Sequence, residues 1–119
     1  MNSQELGLYG EKLAARYLQF YGYDILDTRY AGSQGELDII ARNEEALAFI
    51  EVKTRSSYLS GHGVDMMTPA KLKRMQFVAH EWMLARDAKT SLELRYDLIA
   101  ILVDEIKAPL LEHFEAVTV

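Results

Sequence analysis

No cysteine occurs among the 119 residues, which excludes disulfide bridges and thiolate metal sites. Histidine is scarce: His62, His80 and His113 are scattered along the chain, and this argues against a zinc site. A metal would then be held by carboxylates, and hard oxygen donors point to Mg²⁺ or Mn²⁺. No apolar run approaches the roughly 20 residues that span a bilayer. Met1-Asn2-Ser3-Gln4-Glu5 lacks the basic start and apolar stretch of a signal peptide. The expectation is a cytoplasmic protein with no membrane partner. A basic excess is missing too. The net charge of −5 argues mildly against a nucleic-acid partner without excluding one, because a carboxylate-metal nuclease must carry acids in its site and the metal offsets them. Repeats, low-complexity tracts and linkers are absent.

What is there reads as one domain spanning residues 1–119, long enough for a sizeable core, with half of its residues hydrophobic. Residues 4–21 predict a helix capped by Ser3 and ended by Gly22, with Leu6, Tyr9, Leu13, Tyr17 and Phe20 or Tyr21 in helical period. Residues 23–30 suit a strand, and Ala31 to Gly35 a loop. Residues 36–42 and 46–54 read as two strands joined near Asn43-Glu44-Glu45. The Ser- and Gly-rich stretch 56–67 reads as a mobile loop. Thr68-Pro69 opens a second helix running to about Arg86, with Leu72, Met75, Val78, Ala79, Trp82 and Met83 on one face. Residues 92–103 alternate as a strand, and a last strand falls within 110–118. The order is α-β-β-β-α-β-β, an α/β class with a mixed central sheet flanked by helices.

Two of these strands carry charge in apolar surroundings. Gly35-Glu36-Leu37-Asp38-Ile39-Ile40-Ala41 and Phe49-Ile50-Glu51-Val52-Lys53-Thr54-Arg55 place Asp38, Glu51 and Lys53 in a D-x12-E-x-K spacing. Burying charge is costly unless it is paired or bound to metal. An even hairpin loop, with Asn43 opposite Ala46, makes paired positions sum to 89. Asp38 then faces Glu51 and Glu36 faces Lys53, with Cβ atoms about 4.5–5.5 Å apart. An odd loop would put the two acids on opposite faces unless a bulge restored them. Facing carboxylates suit a shared divalent metal and phosphodiester hydrolysis. The metal would activate a water and polarise a phosphoryl oxygen, and Lys53 would orient that water or stabilise developing charge. The same spacing also describes a surface strand with a Glu36–Lys53 ion pair and a solvated Asp38, but the flanking runs are too apolar for a solvated edge.

The segments Gly7-x-x-Gly10-Glu11-x-x-Ala14, Tyr17-Leu18, Gly22-Tyr23-x-Ile25-Leu26, Gly35 to Ala41, Phe49 to Arg55, Thr68-Pro69-x-Lys71 and Arg95-Tyr96-Asp97 run almost end to end. Together they resemble the YraN family of small bacterial proteins, within the restriction-endonuclease-like PD-(D/E)XK nuclease superfamily. The resemblance implies a restriction-endonuclease-like core and a nuclease-like site. It maps the metal-binding Asp and Glu onto Asp38 and Glu51, the Lys onto Lys53, and the helical Glu of resolvase-like members onto Glu11. One departure stands out. Where the family pattern tends to have Asn-aromatic-Arg before Gly-Glu, this chain has Arg29-Tyr30-Ala31.

The remaining candidates support this reading. Glu11 lies in the row Gly7, Glu11, Ala14 and Leu18; the small residues Gly7, Gly10 and Ala14 would let the helix approach a sheet closely, so that Glu11 reaches towards Asp38 as a third metal ligand, and the surrounding pattern favours this over a plain helix-margin Glu. Arg55, Lys71 and Arg74 are candidates for phosphate-backbone contact, the latter two near a helix start, with snorkelling along the helix as the alternative. Glu36 is the more expendable carboxylate, a partner of Lys53 or a group behind the ligands. Arg95 and Asp97 share a strand face and read as an ion pair. His62 is solvated, and Trp82, Met75 and Met83 belong to the core. The expected function is a metal-dependent endonuclease acting on DNA, ahead of structured RNA, and a homodimer would supply surface for a duplex. The alternative is a non-catalytic nucleic-acid-binding or protein-interaction module on a nuclease fold.

Overall fold

The structure is a computed structural model and describes residues 1–56 and 67–118. The stretch read as a mobile loop, with His62, lies almost wholly outside the described residues. Among these, two helices and five strands follow the expected order. They are α1 (Ser3–Phe20), β1 (Asp24–Gly32), β2 (Gly35–Arg42), β3 (Ala46–Arg55), α2 (Pro69–Ala85), β4 (Glu93–Leu102) and β5 (Leu110–Phe114). The strands form one sheet in the order β1-β2-β3-β4-β5. Only β3 and β4 pair in parallel, because α2 carries the chain between them; the other neighbours are antiparallel.

Asn2, not Ser3, caps α1. Its side chain accepts the Glu5 amide at 2.8 Å, and Glu5 accepts the Asn2 amide at 3.1 Å. This reciprocal box satisfies two amide donors at once, which Ser3 with Leu6 three residues on could not do. At the other end Gly22 takes φ 91°, and the Tyr23 amide donates to the Leu18 carbonyl at 2.9 Å. The positive φ is what glycine supplies there. Thr68 caps α2 as expected, with Pro69 in its first turn.

Of the two rows read along α1, the small one meets the sheet, as expected, and the aromatic one does not. Gly10, Ala14 and Leu18 are buried, whereas Phe20 and Tyr21 are exposed. A Cβ built on Gly10 would lie 1.7 Å from Thr54 Oγ1, so the helix touches β3 through a missing side chain. Gly7 has nothing within 4 Å and makes no such approach.

The sheet is covered on both faces. On one side Leu37, Ile40, Leu47, Phe49 and Leu98 pack with Met75, Val78, Ala79 and Trp82 of α2. On the other, Ile39, Ala41, Ala48, Ile50, Ile99 and Ile101 pack with Ala14 and Leu18 of α1. The central strands are therefore apolar on both sides, as strands inside a covered sheet must be. A bulge between Ile25 and Asp27 shifts the β1 register. Asp27 there accepts from Trp82 Nε1 at 3.1 Å and Arg86 Nη2 at 2.7 Å, so the indole N–H is satisfied at the rim of the core.

Among the described residues one carboxylate is wholly buried. Asp97 accepts from Arg95 Nε at 3.0 Å, His113 Nε2 at 2.8 Å and the Ala116 amide at 3.0 Å. Tyr17 meets the other ring nitrogen of His113 at 2.8 Å, and Arg95 also donates to the Tyr23 hydroxyl. A proton on Nε2 lets His113 donate to Asp97 and accept from Tyr17. Burial alone would raise the Asp97 carboxyl. The bonds from His113, Arg95 and Ala116 outweigh it and hold the group below the usual carboxylate range. The network ties α1 to β4 and β5. The Arg95–Asp97 pair was legible in the sequence; the parts played by His113 and Tyr17 were not.

Candidate functional site

The β2–β3 hairpin has the even loop that the register argument needs. The Asn43 amide donates to the Ala46 carbonyl at 3.1 Å, while Asn43 Oδ1 takes the amides of Glu45 and Ala46 at 2.9 and 2.8 Å. Pairing then runs Arg42↔Leu47, Ala41↔Ala48, Ile40↔Phe49 and Ile39↔Ile50, each summing to 89. The next pair would be Asp38 with Glu51. There the backbone ladder stops, and Asp38 Oδ2 itself accepts the Val52 amide at 2.7 Å. A side chain replaces a rung, and the two strands fork.

Alternation along β2 breaks at the same point. Ile39 and Ala41 face α1, Ile40 faces α2, and Leu37 also faces α2 where strict alternation would send it to α1. Asp38 therefore sits in the fork. Its carboxyl is pushed up to about 7 from the ordinary 3.8. Burial is the largest cause, the Val52 amide opposes it, and the charges of Glu11, Glu51 and Glu36 add to it. Those couplings place all four acids in one electrostatic neighbourhood, with Glu11 arriving from α1 and Glu51 from β3.

Each of the four has a different environment. Glu51 is mostly buried, and the Lys71 ammonium lies 2.6 Å from its Oε2. No aligned hydrogen bond reaches that buried oxygen. Glu11 is raised by burial, opposed by Arg29 and reinforced by Glu36. Arg29 Nε stands 3.9 Å from Glu11 Oε1. Arg29 falls between the pairs Thr28↔Ile39 and Tyr30↔Leu37, across the sheet from Asp38, and adopts φ 51°. A non-glycine residue in that conformation is a strained one. Glu36 is exposed, and neither it nor Lys53 figures in the ion pairs of the described residues, so their expected partnership does not form.

Lys53 is exposed two residues beyond Glu51 on β3, so alternation puts both on the side of α2. Lys71 and Arg74, from the first turns of α2, line a pocket of about 150 Å³ with Glu51, Glu36, Gln34 and Gly35. Arg55 lies at the end of β3 outside this lining, partly buried, with its Nη1 unpartnered among the described residues. Of the expected site residues, the fold thus gathers Glu36, Glu51, Lys71 and Arg74 around one pocket and Asp38, Glu51 and Glu11 around the fork.

Among the described residues no three His, Cys, Asp or Glu side chains are close enough to enclose a metal ion. Asp38 and Glu51 are the pair that could hold one. Mg²⁺ commonly takes one or two carboxylates and keeps several waters, and the buried Glu51 Oε2 without a hydrogen bond fits such a hard cation. Glu11, expected as a third ligand, does not join them in such a group; it biases the fork by charge. Arg29 and Gln34 were missed in the sequence. In the sequence Arg29 stands out only as part of a departure from the family pattern, and nothing local marks Gln34, because the turn that presents it is defined by pairing.

The described helices include none long and apolar enough to cross a membrane. Comparison with known proteins finds relatives of similar length. A UPF0102 protein of Beutenbergia cavernae is 38% identical over 112 residues, covering 94% of each chain. One from Flavobacterium psychrophilum is 40% identical, covering 93% of this chain and 91% of its own. One from Desulfitobacterium hafniense is 42% identical over 98 residues, covering 82% and 81%. The family model for these proteins matches residues 10–101, a span that holds Glu11, the forked hairpin and the start of α2, and the chain accordingly belongs to the uncharacterised protein family UPF0102.

Proposed function

We propose that this protein is a metal-dependent endonuclease hydrolysing phosphodiester bonds in DNA or structured RNA, on a restriction-endonuclease-like PD-(D/E)XK core. The observation that carries the reading is the meeting of Asp38 and Glu51 where β2 and β3 fork. Mg²⁺ or Mn²⁺ held by this pair would supply an acidified water and a polarised phosphoryl oxygen. Lys53, on the α2 side of the fork, orients the attacking water and stabilises charge on the phosphate. Lys71 and Arg74 face the same pocket and take backbone phosphate oxygens, with Arg55 extending the basic edge. Glu36 rims the pocket without binding the metal. Glu11 holds Arg29 and adds negative potential. A cytoplasmic location and a homodimer spanning both strands of a duplex accompany this reading.

Calorimetric titration with Mn²⁺ tests the site. The native chain binds and Glu51→Ala does not; equal heats from both would remove the metal claim. Branched, single-stranded and duplex substrates with Mg²⁺ and Mn²⁺ then test the activity. An unchanged cleavage rate in Lys53→Ala would remove the role given to that side chain. The acidic net charge favours a second reading, a non-catalytic nucleic-acid-binding or protein-interaction module. It is distinguished by binding without cleavage under every metal condition.

A further inference from the structure

The Lys71 ammonium occupies the place on Glu51 that a cation at the fork requires. It lies 2.6 Å from Oε2, an oxygen that is buried and accepts no aligned hydrogen bond. A divalent ion bonded to the same oxygen would stand directly beside the ammonium, and two cations that close repel strongly. The helix does not favour Lys71 where it stands. It is in the first turn of α2, where the dipole disfavours cations, and no acidic residue shares that turn. Glu51, from another element, is what holds it. The lysine stem is flexible and its head is a mobile point charge. The pocket beside it, with Arg74 one turn on, offers a second position.

We infer that Lys71 is an internal counter-cation that competes with a divalent metal for Glu51 and leaves the carboxylate when the metal loads. The inference rests on the metal reading of the site. Without metal the ammonium neutralises a buried acid and blocks it. With metal it is expelled into the pocket, where Arg74 is already present and a phosphate oxygen can take both cations. Metal loading and phosphate binding then reinforce each other, and by linkage the reinforcement is equal in both directions.

Mn²⁺ calorimetry on three chains tests this. Removing the competitor in Lys71→Met tightens Mn²⁺ binding, by roughly five- to a hundredfold for a coupling of ordinary size. Glu51→Gln binds no Mn²⁺. If Lys71→Met binds as the native chain does, or more weakly, while Glu51→Gln still fails, the competition is overturned and the metal site stands. If neither the native chain nor Lys71→Met binds Mn²⁺, the metal reading and this inference fail together. Should Lys71→Met not fold, the native chain gives the answer by NMR. Titration with Mg²⁺ shifts the Lys71 Cε and Nζ resonances when the ammonium leaves, and resonances that stay fixed while metal binds overturn the proposal.

Discussion

Asp38 accepts the Val52 amide at 2.7 Å and thereby completes with a side chain a ladder that the backbone abandons one residue earlier. The bond ties the carboxylate to β3 next to Glu51. It also keeps the group buried among three other acids, which is why its carboxyl is raised to about 7.

That raised value has a sign. An Asp protonates more readily in the folded chain than in the unfolded one, so its stabilising contribution is complete below the unfolded value of 3.8 and is lost as pH rises through about 7. Metal-free protein should lose on the order of 2–4 kcal/mol through this group between pH ~4 and pH ~8. Asp38→Asn should flatten that loss. Urea unfolding at several pH values measures it, and an identical slope in both chains would contradict the burial argument.

Metal uptake should release a proton. With Asp38 near half-protonated at neutral pH, Mn²⁺ binding at pH ~6.5 expels about one proton per site, and close to none at pH ~8.5. Calorimetry in buffers of different ionisation heat counts the protons. A release independent of pH would separate Asp38 from the metal.

The close contact of α1 with β3 gives an opposed pair of outcomes. Gly10→Ala drives a methyl into Thr54 and should cost about 2–3 kcal/mol, at the upper end of ordinary overpacking. Gly7→Ala meets open space within the same helix and should stabilise by up to about 1 kcal/mol. Denaturant melts of both chains decide it, and equal effects would show that α1 does not approach the sheet at Gly10.

Asp97 should behave opposite to Asp38. Its carboxyl is held low by His113, Arg95 and Ala116 against the burial that would raise it, so its contribution is present above the ordinary carboxylate range and lost as pH falls. Asp97→Asn leaves the buried Arg95 only the half-exposed Glu115 carboxylate, 3.7 Å from its Nη1, and should cost about 3–5 kcal/mol at pH 7. The penalty should shrink in acid. A cost that stays constant down to pH ~3 would show that the network does not depend on the charge.

The element order was legible because alternation and helical period are local rules. The hairpin register was open between an even and an odd loop; the bonds that Asn43 makes to Glu45 and Ala46 decide it for the even one. Gly22 and Thr68-Pro69 marked helix ends for reasons of backbone geometry. Other features depend on partners distant in the chain. The close approach at Gly10 was legible from its small neighbours, but the exposure of Phe20 was not, and the pairing of Lys71 with Glu51 is set by the crossover. The aim of Arg29 is set by β1 register. Asn2 was readable in principle, since Glu5 three residues on completes its box, but Ser3 beside it offered the commoner cap.

The spatial order of the strands repeats their order along the chain. Asp38 and Glu51 belong to one tight hairpin, so they meet as soon as that hairpin closes, before any long loop must be searched. Lys71 comes from the one crossover, and Glu11 from the chain end packed across the finished sheet. The fork should therefore become acidic first and acquire its cation afterwards. Pulse-labelling hydrogen exchange would show the amides of Ala41 and Ala48, a hydrogen-bonded pair of the hairpin, protected ahead of those in α2. During folding the molecule must pass through a stage in which Asp38 and Glu51 have met and Lys71 has not yet reached them. Divalent cations present at that stage should accelerate folding as well as stabilise its product.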